Sequence, residues 1–260
     1  MSATTLSTLI AGSGVDEDAA AAMQLTIDTL GPDIQAGLGN IALDDIMLSE
    51  VVLITMLLDD SGSIRFGGNA QHIRDGHNLI LEALRASKQS AAVLVSCSFL
   101  NDGVLYPYVL LENAPKLDSS NFNPSGSTPL FDQSAVTLTT VAAKMSEFEQ
   151  GGINARAVTV ILTDGGDTGS RHTVGDVRKM VSGMLVTEQH IIAAIGVDDG
   201  GYTDFRQVFG DMGILDEWIL VPGNTESEIR RTFQVVSQSA VRASQTAGSF
   251  SQTAMGGFGA

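Results

Sequence analysis

The sequence predicts an α/β fold: a Rossmann-like three-layer sandwich with a mainly parallel central sheet, one antiparallel edge strand and helices on both faces. From residue 51 onward, short apolar runs alternate with longer segments of helical periodicity. Two of these runs, 51–58 and 157–162, are apolar throughout, which is typical of strands buried on both faces. Asp102-Gly103 between two further runs is a hairpin signal, and it predicts the antiparallel edge.

Composition narrows the class of protein. The 260 residues suit one large domain, and a hydrophobic content of 43% is enough for a substantial core. The net charge of −16, with only 14 Lys and Arg residues, argues against nucleic-acid binding. The sequence shows no leader-like segment and no apolar run of about 20 residues, so we expect no membrane insertion. Cys97, the single cysteine, is predicted to be a buried thiol. These features together predict a soluble cytoplasmic protein.

Residues 1–49 are predicted to form a helical extension. Met23, Ile27 and Leu30 lie on one face of a predicted helix. The acidic residues 16–18 favour the N-terminus of that helix. Gly31-Pro32 is predicted to end this helix. Two interpretations remain open: helices that cover the core of the main domain, which we favour, and a docking segment for another subunit.

A main domain is predicted over residues 50–243, in alternating elements. Its first half has strands at 51–58, 91–100 and 104–111 and a helix at 69–86, followed by a polar loop at 113–127. Its second half has helices at 128–149, 174–187 and 202–210, strands at 157–162, 190–197 and 218–221, and a last helix from Thr225. Thr128 before Pro129 is predicted to cap its helix, and Thr225 with Glu228 forms a capping box.

Residues 244–260 are predicted to form a flexible Gly/Ser/Gln-rich tail, because helical periodicity is lost there. Phe250, Met255 and Phe258 nevertheless give this tail apolar side chains that could dock on another surface.

Polar oxygen ligands follow two of the apolar strands. Asp59, Ser61 and Ser63 come after the first strand, and Asp164 comes after the strand at 157–162. Thr128 opens a helix between them. If the two strands are neighbours, all five residues lie at the carboxyl edge of one sheet, where open α/β sheets bind ligands. Carboxylate and hydroxyl oxygens without His or Cys suit Mg²⁺, Mn²⁺ or Ca²⁺, and they disfavour zinc.

Each of these residues also has an ordinary structural role. Thr128 is a good N-cap, and its hydroxyl could serve both purposes. Ser61-Gly62-Ser63 and Asp164-Gly165 are each typical of turns. The case for a metal site therefore depends on the five residues occurring together and in order.

The pattern Asp59-x-Ser61-x-Ser63, then Thr128, then Asp164 resembles the metal-ion-dependent adhesion site of von Willebrand factor A domains. The flanking segments LLDDSGSI, GSTPLFD and ILTDGGD are similar too, and the resemblance covers about residues 50–243. It implies a bound Mg²⁺ or Mn²⁺. Ser61, Ser63 and Thr128 would supply hydroxyl oxygens directly or through water. Asp59 and Asp164 would bind directly or through water, and would orient the hydroxyls.

The same resemblance implies a function. A coordination position is left for a carboxylate from a partner protein, so the expected function is an intracellular protein-binding module or adaptor. Asp60, the extra acid beside the motif, is expected to face away or to tune the charge.

Two alternatives belong to other classes of protein. One is a self-assembling subunit that forms a homo-oligomer through the N-terminal segment and the tail, with the metal site stabilising or regulating assembly. The other is a metal-dependent hydrolase, which we do not favour because the sequence has no GxSxG, Walker A, HExxH or GxGxxG signature. Of the scattered histidines, only His172 follows Asp164 closely enough to pair with Ser61, and a solvated loop histidine is the preferred interpretation.

Overall fold

The chain forms one six-stranded sheet flanked by helices, in a computed structural model that describes residues 1–41, 46, 49–87, 92–197, 200–223, 225–245 and 257–258. The strands are β1 (Glu50–Leu58), β2 (Ala92–Phe99), β3 (Val104–Leu110), β4 (Asn154–Thr163), β5 (His190–Gly196) and β6 (Ile219–Leu220). The helices are α1 (Ala3–Ala11), α2 (Glu17–Leu38), α3 (Asn69–Ala86), α4 (Leu130–Gln150), α5 (Val174–Val186), α6 (Phe205–Asp211) and α7 (Glu226–Gln245). Short 3₁₀ turns occur at Gly62–Gly68, Leu111–Asn113 and Asp216–Trp218.

The strand order is β3-β2-β1-β4-β5-β6, and the strands are parallel except for the antiparallel β2–β3 pair. The chain moves outward from β1 to β2 and β3, and then crosses back to β4 on the other side of β1. Strand order therefore reverses between β1 and β4, which makes that point the switch point of the sheet. The predicted fold class, including the antiparallel edge, is confirmed.

The helices cover both faces of the sheet. Helix α3 connects β1 to β2 and α5 connects β4 to β5, in opposite directions across the sheet, so right-handed crossovers place these two helices on opposite faces. Helix α4 packs on the α5 side. Helix α7 packs against α3, whereas α1 and α2 pack on the face of α4 and α5. Burial on both sides explains why β1 is apolar throughout: residues 51–58 are all buried.

Helix α2 is broken at Leu30, next to Gly31-Pro32, where the helix was predicted to end, but a second helical segment that the sequence analysis did not include continues to Leu38. Leu30 has a non-helical backbone (φ −130°, ψ 24°), and the helix resumes beyond this kink with Pro32 in the first turn of the second segment. Proline is tolerated there because first-turn N–H groups have no helical acceptor. Ile34 and Leu38 of the second segment are buried, and their burial favours continuation of the helix.

Helix α2 approaches α5 very closely at Gly183. A Cβ atom at that position would lie 2.4 Å from the Cβ of Ala19, so only glycine allows this helix contact. Helix α1, which the sequence analysis did not include, buries Leu6, Leu9 and Ile10 in the same core. Both N-terminal helices thus share the hydrophobic core of the sheet.

A register irregularity between β2 and β3 sends two tyrosines to different partners. The Tyr108 hydroxyl lies 2.6 Å from Thr55 Oγ1 on β1, and the Tyr106 hydroxyl lies 2.8 Å from His77 Nε2 on α3. Cys97 on β2 is buried as predicted, and burial raises the pKa of its thiol.

Of the predicted tail at 244–260, the described residues are Ser244 and Gln245, which end α7, and Gly257 and Phe258. The Phe258 ring packs edge-on against Trp218, with 5.1 Å between ring centroids, and its N–H donates to the Glu217 carbonyl. The predictions for Phe250 and Met255 lie outside the described residues. Within the described part of the chain, we find no helix with the length and apolar character needed to cross a membrane.

The buried histidines predict an acid-sensitive stability. Burial lowers the pKa of His77 to about 4 and that of His190 to about 3, whereas an unfolded histidine has a pKa near 6.5. Below about pH 6.5 the unfolded chain therefore binds protons that the folded chain does not, and stability should fall as the pH drops toward 4. His77→Gln should reduce this loss in urea unfolding at pH 7, 6 and 5.

His72→Gln is the matched control, because His72 lines an open surface groove on the same helix. An identical pH dependence in wild-type and His77→Gln protein would contradict the prediction.

Candidate metal site

The pairing of β1 with β4 brings two of the predicted metal ligands together. Leu58 is in register with Leu162, and the Asp59 N–H continues the ladder by donating to the Leu162 carbonyl at 2.9 Å. Asp59 therefore lies beside Thr163 and Asp164 at the carboxyl edge of the sheet, at its switch point.

The Asp59 carboxylate joins the ends of the two strands. It is fully buried, and its Oδ1 accepts a hydrogen bond from the Ser61 N–H at 2.7 Å. Its Oδ2 accepts from the Thr163 hydroxyl at 2.6 Å and from the Asp164 N–H at 3.3 Å. Because both oxygens already have protein donors, Asp59 is well placed to orient the neighbouring groups.

The two serine hydroxyls connect Asp59 to Asp164. Ser61 Oγ lies 3.0 Å from Ser63 Oγ, and Ser63 Oγ donates to Asp164 Oδ1 at 2.6 Å. Adjacent ligands of an octahedral Mg²⁺ with bonds near 2.1 Å are separated by about 3.0 Å. The serine spacing therefore fits two neighbouring positions around such an ion.

Thr128 does not cap α4, so the predicted N-cap role is wrong. The helix begins at Leu130, and Pro129 (φ −74°, ψ 61°) occupies the N-cap position without a side-chain cap. The Thr128 backbone is instead bound to the β4–α5 loop: its N–H donates to Thr168 Oγ1 and its carbonyl accepts from the Thr168 N–H, both at 2.8 Å. Thr128 Oγ1 would lie 3.9 Å from a Cβ atom at Gly165, next to Asp164.

The segment before Thr128 is fixed by the turn that follows β2. The Asn101 side chain donates to the Ser127 carbonyl at 2.8 Å, and the Gly62 N–H donates to the Gly126 carbonyl at 3.2 Å. Gly126 has φ +101°, and a Cβ atom there would lie 2.6 Å from Asn101 Oδ1. Glycine is thus required both by the backbone conformation and by the close approach of Asn101.

Asp60 faces away from Asp59, as expected. Its Oδ1 accepts from the Asn101 N–H at 2.8 Å and the Asn101 side-chain amide at 2.9 Å, and its Oδ2 accepts from the Asp102 N–H at 3.0 Å. Burial raises the pKa of the Asp60 carboxyl even though these donors favour the charged form. Asp60 therefore holds the Asn101–Asp102 turn in place, and Asn101 holds the segment before Thr128.

His172 is buried, so its interpretation as a solvated loop residue is wrong. Its Nδ1 lies 2.7 Å from Asp132 Oδ1, and its Nε2 lies 3.1 Å from Thr26 Oγ1 on α2. Ser61, its suggested partner in a hydrolase, is bonded to Ser63 instead. Thr26 is fully buried and its hydroxyl also lies 3.1 Å from the Ala22 carbonyl, so this carboxylate–imidazole–hydroxyl series does not present a nucleophile to solvent.

Sequence reasoning missed several residues that hold the candidate ligands in place, namely Thr163, Asn101, Thr168 and Asp132. Thr163 could have been found, because strand pairing puts it beside Asp59 once β1 and β4 are taken as neighbours. Asn101, Thr168 and Asp132 contact loops that are distant in the sequence, and no sequence periodicity indicates such contacts.

The chemistry of the donor set fits a hard divalent cation. Across the ranges that the structure describes, no group of three or more His, Cys, Asp or Glu side chains is placed to hold a metal. The candidate set instead combines two carboxylates with three hydroxyls, all oxygen ligands of the kind that Mg²⁺ accepts.

The fold is similar to several solved structures. Proximal thread matrix protein 1 from the mussel byssus, with zinc in its metal-ion-dependent adhesion site, matches 74% of this chain at 16% identity and a TM-score of 0.51. A von Willebrand factor type A protein from Catenulispora acidiphila matches 74% at 13% identity and a TM-score of 0.51. The pilus adhesin SpaC from Lactobacillus rhamnosus GG, in its open conformation, matches 80% at 14% identity and a TM-score of 0.56.

The chain has a von Willebrand factor A fold. The matched regions are 46%, 43% and 31% of those three proteins, so the chain spans less than half of the length of each. No protein-family model matches the sequence, and no curated protein matches it. At these identities the likeness concerns the von Willebrand factor A fold itself, and the role of the site has to be argued from its own residues.

Gly126→Ala tests how the Thr128 segment is held. The positive φ and the clash with Asn101 should destabilise the protein by about 1–3 kcal/mol in urea unfolding. Gly152→Ala is the matched control, because Gly152 also has a positive φ (+81°) but nothing within 4 Å of an added Cβ. Equal losses for the two variants would show that the Asn101 contact is unimportant.

Proposed function

We propose that this chain is a protein-binding module that holds a divalent cation with Asp59, Ser61, Ser63, Thr128 and Asp164, and that the cation binds a carboxylate of a partner protein. The observation that carries this proposal is the convergence of three separate segments on one edge of the sheet. Asp59, Ser63 and Asp164 are linked there by hydrogen bonds through the β1–β4 pair, and Thr168 binds the Thr128 backbone to the loop that follows Asp164.

The proposed roles follow from the contacts. Ser61, Ser63 and Thr128 supply neutral oxygens, Asp164 supplies a carboxylate, and Asp59 orients Ser61 and the start of the Asp164 loop. When bound, the cation would supply an electrophilic centre for a carboxylate. Only two anionic groups belong to the set, so a divalent ion would keep an attraction for a third carboxylate.

Mg²⁺ is the proposed ion, with Mn²⁺ and Ca²⁺ as alternatives, because all five side chains offer hard oxygen ligands. The zinc in the mussel protein's adhesion site shows that this type of site in that protein accepts a softer ion. Zinc therefore belongs among the ions to be tested, although the donor chemistry of this chain disfavours it.

We retain the cytoplasmic location as a prediction from composition and charge, and the adaptor role as one implied by the resemblance to von Willebrand factor A domains. The similar structures include a byssus thread protein and a pilus adhesin, so they lend no support to a cytoplasmic location. Self-assembly through the tail is not favoured by a specific contact, because Phe258 packs against Trp218 of its own chain. A hydrolase is not favoured either, since His172 is directed to Asp132 and Thr26.

Direct metal binding is the first test. Wild-type protein should bind Mg²⁺ in calorimetric titration, and Ser61→Ala should weaken binding about tenfold or more. At a concentration 100 times the Kd, the ion should stabilise the wild-type protein by about 2.7 kcal/mol. Ser134→Ala is the control, because it removes a buried hydroxyl of α4 that lies outside the five-residue set. Unchanged affinity in Ser61→Ala would count against the proposed ligand set.

Partner capture is the second test. Immobilised protein with Mg²⁺ should retain a partner from an extract of the source organism, identified by mass spectrometry. EDTA or Asp164→Ala should abolish retention while circular dichroism stays native, because the partner carboxylate would lose its cation. Retention that survives both treatments would exclude a metal-completed interface.

A further inference from the structure

Helix α2 is connected to the candidate metal site by a buried hydrogen-bond chain. Thr26 Oγ1 on α2 lies 3.1 Å from His172 Nε2, and His172 Nδ1 lies 2.7 Å from Asp132 Oδ1 in the first turn of α4. Thr26, His172 and Asp132 are 0%, 5% and 9% exposed. Buried polar groups of this kind depend on one another for their hydrogen bonds.

Asp132 organises the loop that leads away from Asp164. Its Oδ1 accepts from the backbone N–H groups of Arg171 at 3.0 Å and His172 at 2.8 Å. Its own N–H donates to Ser170 Oγ at 3.0 Å, and that hydroxyl donates to Asp167 Oδ1 at 2.5 Å. The loop is therefore bonded at several points to the first turn of α4.

The same loop holds Thr128. Thr168 bonds the N–H and the carbonyl of Thr128, both at 2.8 Å, and Asp167 accepts from the Phe131 N–H at 3.0 Å. The loop leaves the sheet at Asp164, and four residues later Thr168 binds the Thr128 backbone. The relative position of these two candidate ligands is thus set by the loop that Asp132 and His172 anchor.

The direction of the hydrogen bonds explains why Thr26 matters. Burial disfavours the charged form of Asp132, but the donors of His172 and Arg171 outweigh this effect and lower the pKa of the carboxyl. An ionised carboxylate only accepts, so His172 Nδ1 carries a proton and Nε2 faces Thr26. The Thr26 hydroxyl can donate to Nε2, or accept from it while donating to the Ala22 carbonyl. In either case Thr26 completes the hydrogen bonding of a buried imidazole.

We propose that Thr26 and His172 are positioning residues for the metal site, so that the N-terminal helix α2 controls the affinity of the site for its cation. This inference rests on the proposed function. Under this proposal α2 affects metal binding even though no residue of α2 belongs to the ligand set. A change that moves α2 away from His172 would loosen the loop between Asp164 and Thr128 and would weaken metal binding.

Thr26→Val tests the proposal, because it removes the hydroxyl and keeps the side-chain shape. The Kd for Mn²⁺, measured by electron paramagnetic resonance, should rise about 3- to 10-fold. In the metal-free protein, the Thr168 amide should exchange its hydrogen faster by a similar factor, because the loop opens more often. Thr26→Ser restores a hydroxyl and should recover most of both values.

Thr140→Val is the matched control. Thr140 is a buried threonine of α4 whose hydroxyl donates to the Val136 carbonyl, and it has no part in the chain to His172. It should leave both values unchanged even if it lowers the melting temperature. If Thr26→Val lowers the melting temperature but leaves the Mn²⁺ affinity and the Thr168 exchange rate as in wild type, the proposal is overturned. If wild-type protein binds no Mn²⁺, the proposed function fails, and the exchange rate alone decides whether α2 positions the loop.

Discussion

The site depends on one buried carboxylate, that of Asp59. A carboxylate with no solvent exposure is tolerated only when donors replace its hydration. Its three donors come from the Ser61 loop and from the end of β4, so the groups that satisfy Asp59 are also the groups that shape the site. The hydrogen bonding of a single residue thereby fixes the serine loop relative to Asp164.

Asp60 binds the neighbouring strand end on the other side of β1. Successive side chains point in opposite directions along an extended chain, so two adjacent acids can serve different neighbours. Asp59 binds the end of β4, whereas Asp60 binds Asn101 and Asp102 after β2. Through Asn101, Asp60 also reaches the segment before Thr128. The tip of the central strand therefore holds both adjacent strand ends at the switch point.

Much of the fold could be predicted from local patterns, because buried strands and amphipathic helices have periodicities that do not depend on distant residues. The failures lie where a distant contact overrides a local signal. Burial of Ile34 and Leu38 adds a second helical segment after the break at Leu30. The Thr168 loop holds the backbone of Thr128 away from its capping role, and Asp132 with Thr26 holds His172 in the interior. The five candidate ligands could be proposed because the carboxyl ends of neighbouring parallel strands meet at one edge of a sheet, whereas most of the residues that hold them lie in loops without such a rule.

The balance of hydroxyls and carboxylates has a physical reason under the proposed function. Five carboxylates at one sheet edge would repel one another without a cation, and with one they would neutralise it and remove its attraction for a partner. Three hydroxyls avoid both problems, but neutral ligands bind a cation weakly unless they are held in place beforehand. That requirement accounts for the surrounding network. The bonds of Ser61 to Asp59 and of Thr128 to Thr168 fix two neutral ligands, and the bond of His172 to Asp132 anchors the loop that holds Thr128.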